Sequence, residues 1–214
     1  MSADVIHSKL DGTVAYESKG DNGKVTLVFR EVGTRRCGDC QLCCKLLPMP
    51  LPHYNKPAGE RCQHQKHGVG CAIYARRPMS CATWTCRWLV NDDTADLRRP
   101  DRSRYVIDVM PDFVTLRPDD GSEPYNVPVV QIWCDAKAPE AWRDPALLAY
   151  LDRRGQDGTA ALIRYDNKRG ITVFPPSMTG DTWREYRNGT LRAEHTMAEK
   201  VAAISTAPKI VPKQ

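Results

Sequence analysis

The sequence predicts an α+β protein: a cysteine-rich module of short helices and loops, packed on or beside a small, mainly antiparallel sheet with one or two helices. Three observations predict it. Eight of the nine cysteines fall between Cys37 and Cys86, in a stretch otherwise made of Pro, His, Gly and Arg with few apolar runs. Short β-rich runs closed by turn residues stand on both sides of that stretch. Residues 144–155 carry a well-punctuated helix signal.

In chain order, Thr13–Tyr16 and Lys24–Phe29 read as a β-hairpin turning through Lys19–Gly23, which makes 1–33 an N-terminal hairpin. The cysteine-rich module spans 34–90. Within it Pro78 is placed to open a helix with Cys81 in its first turn. A charged connection follows from Asn91 to Arg104, with Arg98-Arg99-Pro100 expected at the surface. In the α+β region, 101–178, Tyr105–Met110 and Phe113–Leu116 are strands joined at Pro111-Asp112, and Val127–Cys134 is a third. The helix comes next: Asp144 as N-cap, Pro145 in the first position, Leu147, Leu148 and Leu151 as the apolar stripe, Arg153-Arg154 in the last turn, and Gly155 as the stop. A final hairpin pairs Ala161–Tyr165 with Ile171–Phe174. The stretch 179–214 reads as a C-terminal helix over Leu191–Ile204 and a disordered tail from Ala207.

A chain of 214 residues with 41% hydrophobic content can bury a real core. It holds no apolar run of the roughly 18 residues a membrane span needs and no secretory leader, so the expectation is a cytoplasmic protein without a membrane partner. In that reducing compartment clustered thiols persist as thiols or metal ligands rather than as disulfides. Cys134, inside the apolar run Val129–Trp133, reads as a buried core thiol. The net charge of +5 is too modest to argue for nucleic acid.

The cysteines themselves begin with Cys37-Gly-Asp-Cys40-Gln-Leu-Cys43-Cys44 and continue at Cys62, Cys71, Cys81 and Cys86. A C-x-x-C pair sets two sulfurs on one side of a tight turn, where backbone N–H groups can also reach the thiolates, as in zinc and iron–sulfur sites. The run follows the start of the bacterial ferredoxin pattern, with Pro48 at the proline position but Leu47 where the fourth cysteine would stand. Zinc takes four thiolates equally well, and eight cysteines suffice for two closed tetrahedral sites. Neighbouring cysteines leave a helix about 100° apart, so Cys43 and Cys44 either divide between two metals or one of them packs in the core. If the helix from Pro78 continues, Cys86 lies about 140° around from Cys81 and is a possible ligand only. His53, His64 and His67 lack the spacing of a two-histidine finger. Arg76-Arg77 is either a solvated surface pair or a source of donors to the sulfurs.

The run Cys37-x-x-Cys40-x-x-Cys43-Cys44, with Cys62 and the segment Gly70-Cys71-Ala-Ile73-Tyr74-Ala-Arg-Arg77-Pro78-Met-Ser-Cys81, resembles the YkgJ-type cysteine-cluster family, described as a zinc- or iron-chelating domain. The resemblance covers about a quarter of the chain. It implies that Cys37, Cys40, Cys43, Cys44, Cys62, Cys71 and Cys81 belong to a metal-chelating set, with Tyr74, Arg77 and Pro78 supporting it. Gln41-Leu42 stand where members often carry a glycine, which predicts a different local turn.

These readings converge on a metal-binding protein with a cysteine-ligated zinc or iron(–sulfur) centre, a metal ion as its partner and an unassigned biological role. An iron–sulfur redox or methyl-transfer enzyme is one alternative, and a zinc-stabilised nucleic-acid- or protein-binding module is another. No phosphate-binding glycine loop, zinc-protease helix or acid–base–nucleophile constellation identifies a reaction, so the sequence leaves open whether the chain is an enzyme.

Overall fold

The computed structural model describes residues 4–7, 14–19, 25–29, 35–51, 54–78, 80–81, 84–118 and 120–187, with backbone alone in the first three segments and at Pro50 and Leu51. The expected C-terminal helix and tail, and the turn of the N-terminal hairpin at 20–23, lie outside these residues. The chain divides into two compact units, Met1–Val109 and Met110–Gln214.

The first unit opens with three antiparallel strands, β1 (Asp4–His7), β2 (Val14–Lys19) and β3 (Val25–Phe29), in the order β1-β2-β3. The predicted hairpin is present with one more strand on its edge. Among its described residues the cysteine-rich stretch has short elements: helix α1 (Leu42–Leu46), two-stranded ladders of β4 (Met49–Leu51) with β5 (Tyr54–Lys56) and of β6 (Gln65–Lys66) with β7 (Gly70–Cys71), a 3-10 turn at Tyr74–Arg76, and helical backbone at Ser80 and Cys81. Leu42 and Leu46, one helical turn apart, are the buried residues of α1. This helix, α2 (Arg87–Val90) and α3 (Pro100–Ser103) pack on the fully buried strand β8 (Tyr105–Ile107). Leu89, Val90, Leu97 and Val106 complete this small core.

Two expectations change here. The helix from Pro78 does not run on to Cys86: Cys86 has extended backbone, caps α2 and bridges Asp108. The stretch Arg98-Arg99-Pro100 is not uniformly exposed. Arg98 faces solvent, whereas Pro100 is buried and Arg99 is three-quarters covered, because Arg99 is held by Asp39 and Asp101 and Pro100 opens α3 against the core.

In the second unit β9 (Asp112–Leu116) pairs antiparallel with β10 (Tyr125–Cys134), β10 runs parallel to β11 (Ala160–Arg164), and β12 (Gly170–Phe174) and β13 (Arg184–Tyr186) add antiparallel strands beyond it. The sheet is thus mainly antiparallel with one parallel pair. A parallel pair requires a crossover, and helix α4 (Pro145–Gln156) supplies it. Asp144 caps α4 by accepting the Ala146 N–H at 3.0 Å, as its position predicts. Gly155 lies inside the helix instead of stopping it. A Cβ there would stand 2.1 Å from Ser177 Oγ and 2.4 Å from Pro175 Cγ, so glycine permits α5 (Pro176–Thr179) to pack against α4. Buried residues run unbroken from Val127 to Cys134, which means both faces of β10 are covered. On one face Val127, Val129, Ala160, Leu162 and Met178 form a continuous cluster. Cys134 is buried as expected, and burial pushes its thiol up to about 12. Strand β13 was not predicted; Arg184-Glu185-Tyr186 carries no β-branched residue to signal it.

Candidate metal centre

Every cysteine from Cys37 to Cys86 lies in the first unit, and all nine cysteines of the chain are free of disulfides. By the void that four of them line and by mutual electrostatic reach, the eight from Cys37 to Cys86 form two sets of four. The first set is Cys37, Cys40, Cys43 and Cys86. Cys40 N–H closes the expected C-x-x-C turn on Cys37 O at 3.0 Å, and the backbone N–H groups of Leu42 and Asp101 reach the Cys40 sulfur. Cys43 stands on α1, within electrostatic reach of Cys86 and Cys37, and Cys86 in turn feels Cys37 and Cys40. The four line a small enclosed void of about 10 Å³, walled otherwise by Trp88, Leu89, Pro100 and Val106.

Three anchors hold this set. Arg35 donates from Nη1 to Trp88 O, to Asn91 O at 3.1 Å and to Thr94 Oγ1 at 2.9 Å, tying the first cysteine to α2. Arg99 grips Asp101 through two bonds of 2.7 and 2.8 Å and reaches Asp39 Oδ1 at 2.8 Å, fixing the loop between Cys37 and Cys40. The backbone bridge to Asp108 brings Cys86 in from far along the chain, and Trp84 Nε1 donates to Asp108 Oδ1 at 2.8 Å.

The second set is Cys44, Cys62, Cys71 and Cys81. Cys62 N–H donates to Cys44 O at 3.1 Å, and Cys81 feels Cys44, Cys62 and Cys71 as its nearest like charges. The β6–β7 ladder, which carries Cys71, is clamped to α1 by Gln41, whose Nε2 donates to Lys66 O and to Gly70 O at 3.2 Å while its own carbonyl accepts Gln65 Nε2 at 3.3 Å. Leu42, next to Gln41, is buried. Tyr54 hydrogen-bonds Cys62. Arg77 stacks on Tyr74 with its guanidinium carbon 4.0 Å from the ring centre, and its charge reaches Cys44 and Cys81. Arg76 is exposed. His64 packs near the Tyr54 ring, 5.9 Å between centres, and His53 lies outside the described residues.

Sequence reasoning missed Lys56. Its side chain is buried, and its ammonium donates to Lys45 O at 3.1 Å and to Pro57 O and Glu60 O at 3.0 Å each. Burial pushes its pKa down, while Cys62, Cys44, Glu60 and Cys43 pull it back up. A lysine in a Pro- and Gly-containing loop reads as solvent-facing, and nothing in its neighbours contradicts that.

The two sets share a border, at which the adjacent thiols Cys43 and Cys44 are shifted in opposite directions. Burial pushes Cys86 up to about 12 and raises Cys40. Cys43 is raised chiefly by its hydrogen bond to Cys44, and the same bond, aided by Lys56 and Arg77, brings Cys44 down to about 7. The adjacent thiols therefore meet across the boundary while each belongs to a different set. Burial carries Cys81 up to about 11 against the pull of Arg77.

Among the described residues, no three Cys, His, Asp or Glu side chains converge closely enough to hold a metal ion as they stand. The sulfurs are gathered as neighbours, not as a closed coordination shell. The donor chemistry nevertheless fits a soft or borderline ion, since each set offers four thiols and the first encloses a void of about one ion's or one water's size. Comparison of the chain with family models, with curated proteins and with solved structures finds no match. Among the described residues no helix is long and apolar enough to cross a membrane.

Proposed function

We propose that the first unit is a metal-binding module in which Cys37, Cys40, Cys43 and Cys86 hold one ion and Cys44, Cys62, Cys71 and Cys81 a second. The observation that carries this reading is the sorting of eight cysteines into two fours. The first four meet around a void that suits a single ion better than a cluster of iron and sulfide. Zinc, which takes four thiolates in a closed tetrahedron, is the ion this favours. When bound, it would supply a fixed crosslink between loops that bury little apolar surface of their own. The charge balance supports the reading: residues 35–78 hold eight Lys and Arg against Asp39 and Glu60, and each zinc tetrathiolate carries a charge of about −2. The likeness to the YkgJ-type cysteine motifs points the same way. Free thiols throughout the chain suit a reducing, cytoplasmic setting.

Elemental analysis of protein purified without added metal tests this, with cobalt substitution to report the ligands. The expected result is two zinc per chain, thiolate-to-cobalt charge-transfer bands, loss of one ion in each of Cys86→Ser and Cys71→Ser, and no loss in Cys134→Ser. Iron with acid-labile sulfide would replace zinc by a cluster and make the redox alternative the one to pursue. Protein without metal would end the reading.

A further inference from the structure

Besides the enclosed void, the first unit has an open cavity of about 280 Å³, lined in part by Tyr74, Val69 and Arg36. Tyr74 and Val69 are 54% and 72% exposed and are two of the three large hydrophobic side chains that stand well out of the surface among the described residues. The Arg77 guanidinium carbon lies 4.0 Å from the centre of the Tyr74 ring, so a cation backs the ring while more than half of the residue stays exposed. Gly38 at φ +54° and Gly70 at φ +111° hold backbone conformations that favour glycine, which keeps side chains off that part of the lining. The chain's net charge alone is too modest to point to nucleic acid, but its distribution is uneven. Residues 35–78 hold eight Lys and Arg against Asp39 and Glu60, a larger positive excess than the whole chain's +5. Arg36, Lys66 and Arg76 among them are exposed. Lys66 O accepts the Val69 N–H at 3.1 Å at the base of the turn that carries Val69, and Arg76 follows Tyr74 by two residues.

From an exposed aromatic ring backed by a guanidinium, an apolar neighbour and a cationic border around an opening just under the size of small-molecule sites, we infer that this surface binds single-stranded nucleic acid, with one base stacked on Tyr74 and the adjoining phosphates on Arg36, Lys66 and Arg76. Every base has a flat π face, and stacking on exposed aromatic rings beside a basic track is how unpaired strands are held. A duplex keeps its bases stacked on one another and offers none to the ring. An acidic peptide would satisfy the cations, but the negative face of the ring repels its carboxylates, whereas a base stacks there and carries its phosphate to one side. The inference goes beyond the metal-binding reading and uses no metal in any step.

Fluorescence anisotropy of a labelled mixed-sequence strand of roughly 12 nucleotides, as RNA and as DNA, tests this on the full-length chain as purified. Either strand is expected to bind more tightly than its duplex and than polyphosphate of matched charge, and the tighter of the two identifies which nucleic acid the surface serves. Tyr74→Ala is expected to weaken binding about tenfold, the scale of one base on an aromatic ring, while Tyr74→Phe, which keeps the ring, stays within about twofold. Arg36→Gln is expected to lower the slope of log affinity against log salt by about 0.7, the share of one phosphate contact to a single strand. Val69→Glu, at a position 72% exposed, gives a second variant that disturbs the fold little and repels the strand. Circular dichroism of each variant separates a lost contact from a lost fold. Binding equal for strand, duplex and polyphosphate and unmoved by Tyr74→Ala and Val69→Glu would overturn the inference in favour of a surface for any polyanion. Tighter binding of poly-glutamate than of either strand, or no binding of a strand at all, would overturn it too. Each of these failures leaves the metal reading standing, and a metal-free chain that binds the strand as described would sustain this inference alone.

Discussion

The two cysteine sets are built from the same ligand type in the same small unit, yet they solve the problem of gathering four thiols in different ways. The first set is walled by apolar residues. Its walls are Trp88, Leu89, Pro100 and Val106, its anchors act through backbone and surface ion pairs, and burial raises Cys40 and Cys86. The second set is furnished with charge. Lys56 is caged beside it, Arg77 is stacked within reach, and Cys44 is brought down to about 7. Apolar walls disfavour a thiolate until a divalent ion takes the place of its proton, whereas the fixed cations beside Cys44 favour its thiolate. Cys44 is therefore expected to lose its proton at lower pH than Cys86.

The largest test of the comparison removes metal altogether. Stripping zinc with a strong chelator is expected to unfold residues 35–81 while the second unit, which has its own continuous apolar cluster, keeps its structure. Metal binding in small cysteine sites is worth on the order of 10 kcal/mol, more than the short helices and ladders of this stretch could replace. Hydrogen exchange read by mass spectrometry checks it. Equal loss of protection in both units would break the idea that only the cysteine stretch is held by metal.

Lys56→Met comes next. It keeps most of the volume but removes a charged donor from three part-buried carbonyl bonds, at an expected cost of about 2 kcal/mol. Cobalt titration should show weakened binding at one site, with the Cys86-dependent site unaffected. If both sites weaken alike, Lys56 serves the fold and not the second set. A control on the other unit has a similar or slightly smaller effect: Gly155→Ala would press a methyl group onto Ser177 and Pro175. It should cost about 2 kcal/mol in urea denaturation and leave the metal content of both sets unchanged.

These residues also mark how far the sequence could be read. The α4 helix was legible because Asp144 and Pro145 act locally, through a cap and a fixed φ, and the hairpin of Ala161–Tyr165 with Ile171–Phe174 was legible from turn chemistry to within one residue of the observed strands. Strand β10 and the burial of Cys134 were legible from the largely apolar run around Gln131, whereas its two-sided burial and its parallel pairing with β11 were not drawn from it. The division of the cysteines was half legible. The adjacency of Cys43 and Cys44 suggested two destinations, but which partners each would take depended on contacts distant in sequence: the Cys86–Asp108 bridge, the Cys62 to Cys44 backbone bond, and the Gln41 clamp on the β6–β7 ladder. Lys56 was invisible because lysine is almost never buried without a partner, and its partners are backbone carbonyls that no pattern of side chains announces.

The smallest effect concerns the ion pair that supports the first set. Arg99 holds Asp101 in a two-bond fork and Asp39 by a third contact, and the Asp101 backbone N–H reaches the Cys40 sulfur. Hydrogen bonding and charge from Arg99 hold the Asp101 carboxyl below its ordinary 3.8. A carboxylate depressed in the folded state contributes stability above its unfolded value, and that contribution is lost as pH falls through the folded value. Asp101→Asn should therefore destabilise the protein by about 1 kcal/mol at neutral pH, the scale of a well-formed but partly exposed pair, and the difference from the parent should vanish in acid. Because the fork steadies the loop between Cys37 and Cys40, cobalt spectra of the variant should change at the Cys86-dependent site alone. A shift at the Cys71-dependent site instead would mean that the two sets, which touch through Cys43 and Cys44, respond as one.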